Sequence, residues 1–134
     1  MKEFPDKDMQ LTHIIVVGEM KRSLHFYTNI LGASLYREYG GTSSVLDFNG
    51  SWLLLVTGGG PTEDKPDIFF TPLPDKKQIS QAFTVRVKDC WKSYKILKSR
   101  GADFITLPHD WGMEIRCFFR DPDGYLWEIS EAKQ

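Results

Sequence analysis

Arg120-Asp121-Pro122-Asp123-Gly124-Tyr125-Leu126-Trp127-Glu128-Ile129 reads as a tight polar turn that feeds a strand. Asp and Pro begin the turn, and Gly124 gives the backbone freedom that closes it. Alternation then sets Leu126 and Glu128 on one face and Trp127 and Ile129 on the other. A carboxylate in mid-strand must be solvated, paired or bound to a cation, because burying it bare is costly. Earlier in the chain, Asp47-Phe48-Asn49-Gly50-Ser51-Trp52-Leu53-Leu54-Leu55-Val56 has the same shape without the charge. The fold follows from that likeness between the two halves.

Working outward, Leu11 to Val17 is a β-branched run that ends at Gly18 and predicts a strand. Met20 to Leu31 carries Leu24, Tyr27 and Leu31 at helical steps and stops at Gly32, which predicts an amphipathic helix. Ala33 to Tyr39, Ser44 to Phe48 and Ser51 to Thr57 are strands, the last two joined by the hairpin signal Asn49-Gly50. The second half repeats the order. Ala82 to Val87 is a strand, Asp89 caps a helix from Cys90 to Arg100, and strands follow at Ala102 to Leu107, Met113 to Phe119 and Tyr125 to Ser130. Between the halves, the Gly- and Pro-rich stretch 58–80 is a connector with a short extended piece at Ile68 to Thr71. Its Gly58-Gly59-Gly60 is not followed by Lys-Ser/Thr or a helix, which argues against a phosphate loop. Two β-α-β-β-β copies predict two small sheets covered by helices, with their inner faces meeting or curling around a ligand cleft.

The composition fits one domain, expected over 8–132, with a first module at 11–57 and a second at 81–131. Nine Phe, five Tyr and four Trp among 134 residues suit a core or an apolar pocket wall. The formal net charge of -1, with no basic block, argues against nucleic acid as a partner. The apolar run Trp52 to Val56 is too short to cross a membrane, and no secretory leader is evident, so the cytoplasm is expected. Cys90 and Cys117 lack metal-type spacing and read as a reduced, buried pair.

His13-Ile14-Ile15-Val16, Ser23-Leu24-His25-Phe26-Tyr27 with Leu31-Gly32, Val87-Lys88-Asp89, Arg100-Gly101-Ala102 and Arg120 through Glu128 together resemble the vicinal oxygen chelate superfamily. That group holds glyoxalase I, the bleomycin-resistance proteins and the extradiol dioxygenases. The resemblance covers roughly residues 11 to 131. It implies an α+β fold in which two βαβββ modules form a cleft-bearing, curled mixed sheet, and it implies a homodimer. Metal-bearing members take four ligands from the first and last strand of each module. Carried over, these positions fall on His13, on Leu54 or Leu55, on Ala82 and on Glu128. Only His13 and Glu128 can ligate, with His109 as a third group from the loop after Pro108. Any divalent metal would then be loosely held and completed by water. Without metal, His13 and Glu128 can serve as a general base and its partner.

Strand parity adds a set of ligand contacts. Arg86 shares a face with Thr84, and Arg116 shares one with Glu114 and Phe118. The two guanidiniums can pair with carboxylates at a sheet edge or grip an anionic ligand bidentately. Phe48 and Phe118 supply aromatic wall, whereas Trp127 points to the helices. Two functional classes follow. One is a glyoxalase-like enzyme, a lyase or isomerase acting on an anionic, vicinal-oxygen or enolisable substrate. The other is a metal-free sequestration protein of the bleomycin-resistance type. A dioxygenase-like protein is a further alternative, for which the second module offers only Glu128.

Overall fold

The computed structural model describes residues 3–133. The first half runs β1 (Thr12–Val17), α1 (Met20–His25), β2 (Ser34–Tyr39), β3 (Ser43–Phe48) and β4 (Ser51–Thr57). The second runs β5 (Phe83–Arg86), α2 (Cys90–Ser99), β6 (Asp103–Phe104), β7 (His109–Asp110), β8 (Glu114–Arg120) and β9 (Leu126–Ala132). Glu19 and Asp89 cap the two helices by accepting from the backbone N–H three residues on. Past His25, α1 continues as a wider π-helical stretch, Phe26–Ile30. There the Thr28 hydroxyl donates to the Leu24 carbonyl at 2.6 Å, competing with the backbone ladder.

The strands form two sheets, in the orders β1-β4-β3-β2 and β5-β9-β8-β6, with β7 added against β8. Both modules use the same pairing, a parallel first and last strand with the rest antiparallel. The expected curled mixed sheet is not found: these are two separate open sheets, neither closed nor strongly curled. The physical reason is that every ladder is satisfied inside its own module. β1 pairs with β4 and β5 with β9, so both β1 and β5 end as edges with no ladder between them. The strand expected over Ala102 to Leu107 shortens to Asp103–Phe104, and the chain bends before β7.

Side chains join the modules instead. Ile15, Val17, Leu46, Leu53 and Leu55 of the first sheet share one core with Cys117, Phe119, Trp127 and Ile129 of the second. Phe26 and Tyr27 reach across it, with ring centroids 6.2 Å from Phe119 and 5.8 Å from Trp127. The turn at Asp121–Gly124 adds polar ties to the first module. Asp123 accepts from the Gly18 N–H, from Arg22 Nη2 (both 3.0 Å) and from the Ser23 hydroxyl. Tyr27 donates its hydroxyl to Asp121 at 2.7 Å, and Tyr125 donates to the Val16 carbonyl at 2.7 Å. Gly124 sits at φ +90, which strains any residue with a Cβ, and a Cβ there would lie 2.7 Å from the Lys76 side chain, which would have to swing aside. Arg120 closes the same turn by donating to the Gly124 carbonyl at 2.9 Å.

Burial sets the electrostatics of this joint. Desolvation raises the Asp121 carboxyl to about 6, against the opposing hydrogen bonds from Tyr27 and the Tyr125 N–H. Burial, then the Asp121 charge, holds the Tyr27 phenol well above its ordinary range, so it remains the donor. Because the folded carboxyl titrates higher than the unfolded one, its contribution is full below about pH 4 and is lost as pH rises to about 6. Asp121→Asn is therefore expected to remove about 2 kcal/mol of stability change across that window. Urea denaturation of wild type and variant at stepped pH measures it, and parallel pH profiles would refute the assignment.

Candidate functional site

Register places the candidate side chains more firmly than alternation alone could. On the face of the second sheet turned away from the core, β7, β8, β9 and β5 align His109, Arg116, Ser130 and Arg86 in one row. Phe118, Glu128 and Thr84 form the neighbouring row. Residues directly opposite on paired strands share a face, so this is one continuous patch. Six of the eight residues singled out from the sequence thus lie together: Glu128, Thr84, Arg86, Arg116, Phe118 and His109.

The polar side chains that β5, β8 and β9 bring to the patch are hydrogen-bonded to one another. Thr84 donates its hydroxyl to Glu128 Oε1 at 2.6 Å. Arg116 donates to Glu114 Oε1 at 2.9 Å, and its Nε lies 3.9 Å from Glu128 Oε2. Arg86 donates to the Ser130 hydroxyl at 3.0 Å, and Ser130 donates in turn to Glu114 Oε2 at 2.7 Å. The Ser130 hydrogen bond, helped by Arg116 and Arg86, holds the Glu114 carboxyl below its ordinary range, so it stays ionised. The two arginines and two glutamates balance in charge. Among the described residues Arg86 engages only Nη1, and its side chain is 66% exposed, so the rest of its guanidinium faces solvent. Ser130 escaped the sequence reading, although a step of two from Glu128 puts it on the same face.

A cleft of about 1000 Å³ opens between the edges β1 and β5. His13, Phe48, Trp52, Phe83, Thr84 and Arg86 are among its walls. Glu128, Arg116, Phe118 and His109 lie outside these walls, and Glu128 reaches the cleft through its bond to Thr84. Thr84 and Arg86 are thus shared between cleft and patch.

His13 does not join Glu128, contrary to the sequence expectation. It has the parity of Ile15 and Val17, which are buried in the core, and its ring meets Phe83 edge-on at 4.6 Å. Phe83 in turn stacks on Trp127 at 4.3 Å. The register explains the shift. Thr84 stands opposite Glu128 and Ile14 opposite Leu54, so the equivalent of Ala82 in β1 is Thr12, one residue before His13. Leu55 is fully buried on the core side, which leaves Leu54 as the last-strand position on the outer face. The four family ligand positions on that face are therefore Thr12, Leu54, Ala82 and Glu128, with one carboxylate among them. No group of three His, Cys, Asp or Glu side chains suited to a metal occurs among the described residues. This donor set does not fit a divalent metal centre.

His109 is brought nearer than its loop position promised. It faces the same side as Arg116 and packs on Trp111, with ring centroids 4.2 Å apart. Cys90 and Cys117 are buried and free. Desolvation raises both thiols, Cys117 to about 12, so neither is a ready nucleophile or ligand.

Known proteins share this architecture. The lactoylglutathione lyase of Salmonella typhimurium is 30% identical over 133 residues, spanning 93% of this chain and 94% of that protein. That of Neisseria meningitidis is 28% identical over 134 residues, spanning 93% and 92%. Among solved structures, a glyoxalase/bleomycin resistance protein/dioxygenase from Alicyclobacillus acidocaldarius superposes with a TM-score of 0.68 at 21% identity, covering 97% of this chain and 96% of that one. The Glyoxalase/Bleomycin resistance protein/Dioxygenase superfamily model matches residues 10–129. By its paired modules, its outer-face register and this match, the chain belongs to the glyoxalase/bleomycin resistance protein/dioxygenase superfamily.

Proposed function

We propose that this chain is a glyoxalase-like enzyme of the lyase or isomerase type, acting on an anionic, vicinal-oxygen or enolisable small molecule. The observation that carries the reading is the Thr84–Glu128–Arg116 arrangement, a carboxylate fixed at 2.6 Å by a hydroxyl with a guanidinium beside it. Glu128 takes a proton from the carbon next to a carbonyl. Arg116 stabilises the negative charge that develops on the carbonyl oxygen, the proton of the substrate's neighbouring hydroxyl passes to that oxygen, and Glu128 returns its proton to the former carbonyl carbon, so that hydroxyl and carbonyl exchange places. Arg86, reaching into the cleft, holds the anionic group of the substrate. No step runs through a metal, since the donor set does not support one. The lactoylglutathione lyases named above favour this class of chemistry. We place the activity in one glyoxalase-like domain over 8–132, in the cytoplasm, in keeping with two free cysteines and no helix long and apolar enough to cross a membrane among the described residues.

A second reading, sequestration of an aromatic compound, draws on the aromatic side chains Phe48, Trp52 and Phe83 in the cleft. Exchange chemistry separates the two. Wild type, incubated in D2O with α-keto and α-hydroxy carboxylates, is expected to exchange substrate C–H protons. Glu128→Gln should slow that exchange about 100-fold or more, read by proton NMR. Absence of protein-dependent exchange across the panel, with tight binding of aromatic cations, would hand the case to sequestration. In the same panel, Arg86→Ala should weaken carboxylate binding by about 2 kcal/mol by calorimetry. Unchanged carboxylate affinity would remove Arg86 from the site.

The working form is proposed to be a homodimer. The outer face of the first sheet presents Ile14, Trp52 and Leu54, with Tyr36 packed edge-on against Trp52 at 5.2 Å. An exposed apolar sheet face of this kind favours burial against a second copy. Light scattering should give a dimer for wild type and a monomer for Leu54→Lys; a monomeric wild type would refute it.

A further inference from the structure

Between the bend after β6 and strand β8 lies a recess of about 480 Å³, separate from the inter-sheet cleft. Leu107, Pro108, His109, Trp111, Arg116 and Phe118 line it. We infer that this recess is a subsite for a planar aromatic ring, with Trp111 as the residue that determines that specificity. For the rest of the ligand, the inference rests on the anionic reading proposed above.

Three features carry it. First, the lining is apolar around a single guanidinium: Arg116, paired with Glu114 at 2.9 Å, is its charged wall, and no carboxylate lines it among the described residues. Second, the Arg116 guanidinium lies 5.3 Å from the Trp111 ring centre and 5.8 Å from that of Phe118. Its carboxylate partners, Glu114 and Glu128, are not among the residues that line the recess. A flat π-system can therefore stack on Trp111 or over the guanidinium without displacing an ion pair, which a saturated ring cannot match. Third, Trp111 is held in place yet open to solvent. Its backbone N–H donates to the Glu114 backbone carbonyl at 2.8 Å, and its ring packs on His109. On its flank Asp110 binds Lys133 at 2.6 Å and accepts from the Gly112 N–H, while Trp111 itself remains 59% exposed. A large aromatic side chain fixed by its neighbours and left uncovered is suited to a ligand contact. A sealed apolar cavity of about 150 Å³ already admits benzene, so an open recess of this size has room for a fused bicycle.

Calorimetry with three probes tests it. Wild type is expected to bind 2-naphthoate about tenfold more tightly than cyclohexanecarboxylate. Trp111→Leu should abolish that preference, and Trp111→Phe should restore most of it. The inference is overturned if wild type shows no preference, if 2-naphthoate does not bind at millimolar concentration, or if the preference survives in Trp111→Leu. The third probe, 2-naphthol, separates this inference from the anionic reading. Equal binding of 2-naphthol and 2-naphthoate, with the aromatic preference still lost in Trp111→Leu, would uphold the ring subsite and sink the anion grip.

Discussion

The turn carboxylates at Asp121 and Asp123 are the constraint on which the rest depends. Among the described residues no strand ladder links the two sheets, so something else has to fix how they sit against each other. Asp123 does so by accepting from the backbone at the end of β1 and from Arg22 at the start of α1. Asp121 does so by accepting from Tyr27 in the core. The same Asp121 also receives the Asp123 and Tyr125 N–H groups, which shapes the turn itself. One pair of acids therefore builds the turn and clamps the modules. Buried charge is tolerable here because each carboxylate is met by several donors.

That clamp has consequences for the site. It holds β9 beneath the first module, and β9 sets Glu128 and Ser130 on its outer face, Ser130 buried under Arg86 and Glu114, while Trp127 and Ile129 go into the core. The polar patch is thus the reverse side of the aromatic core, and Trp127 packing fixes where Glu128 points. Chemistry on the patch is organised by paired charges. Glu114 neutralises the arginines, Ser130 relays between Arg86 and Glu114, and Glu128 is positioned by Thr84. An ordered carboxylate beside a guanidinium is the minimum equipment for moving a proton next to a carbonyl.

The departure from a metal-dependent site is equally physical. Three of the four outer-face positions carry Thr12, Leu54 and Ala82, which bring a hydroxyl and two aliphatic groups in place of strong ligands. His13 has the right chemistry one residue out of step. In a strand, a shift of one residue reverses the face, and here it turns the imidazole toward Phe83 and away from Glu128.

The sequence by itself determined the repeat, the helices with the Asp89 cap of the second, the Asn49-Gly50 hairpin and the inward turn of Trp127. All of these rest on local signals: periodicity, capping chemistry and glycine at positive φ. Parity within a strand also grouped Arg86 with Thr84, and Arg116 with Phe118. Parity cannot say how one strand registers against another, because that depends on pairing between distant segments. Only the tertiary structure decided that His109 stands in the row of Arg116 and Ser130, and that Thr12, not His13, is the equivalent of Ala82. It also decided that the modules stay as two open sheets, since joining them depended on side chains more than a hundred residues apart, as in the bond from Gly18 to Asp123.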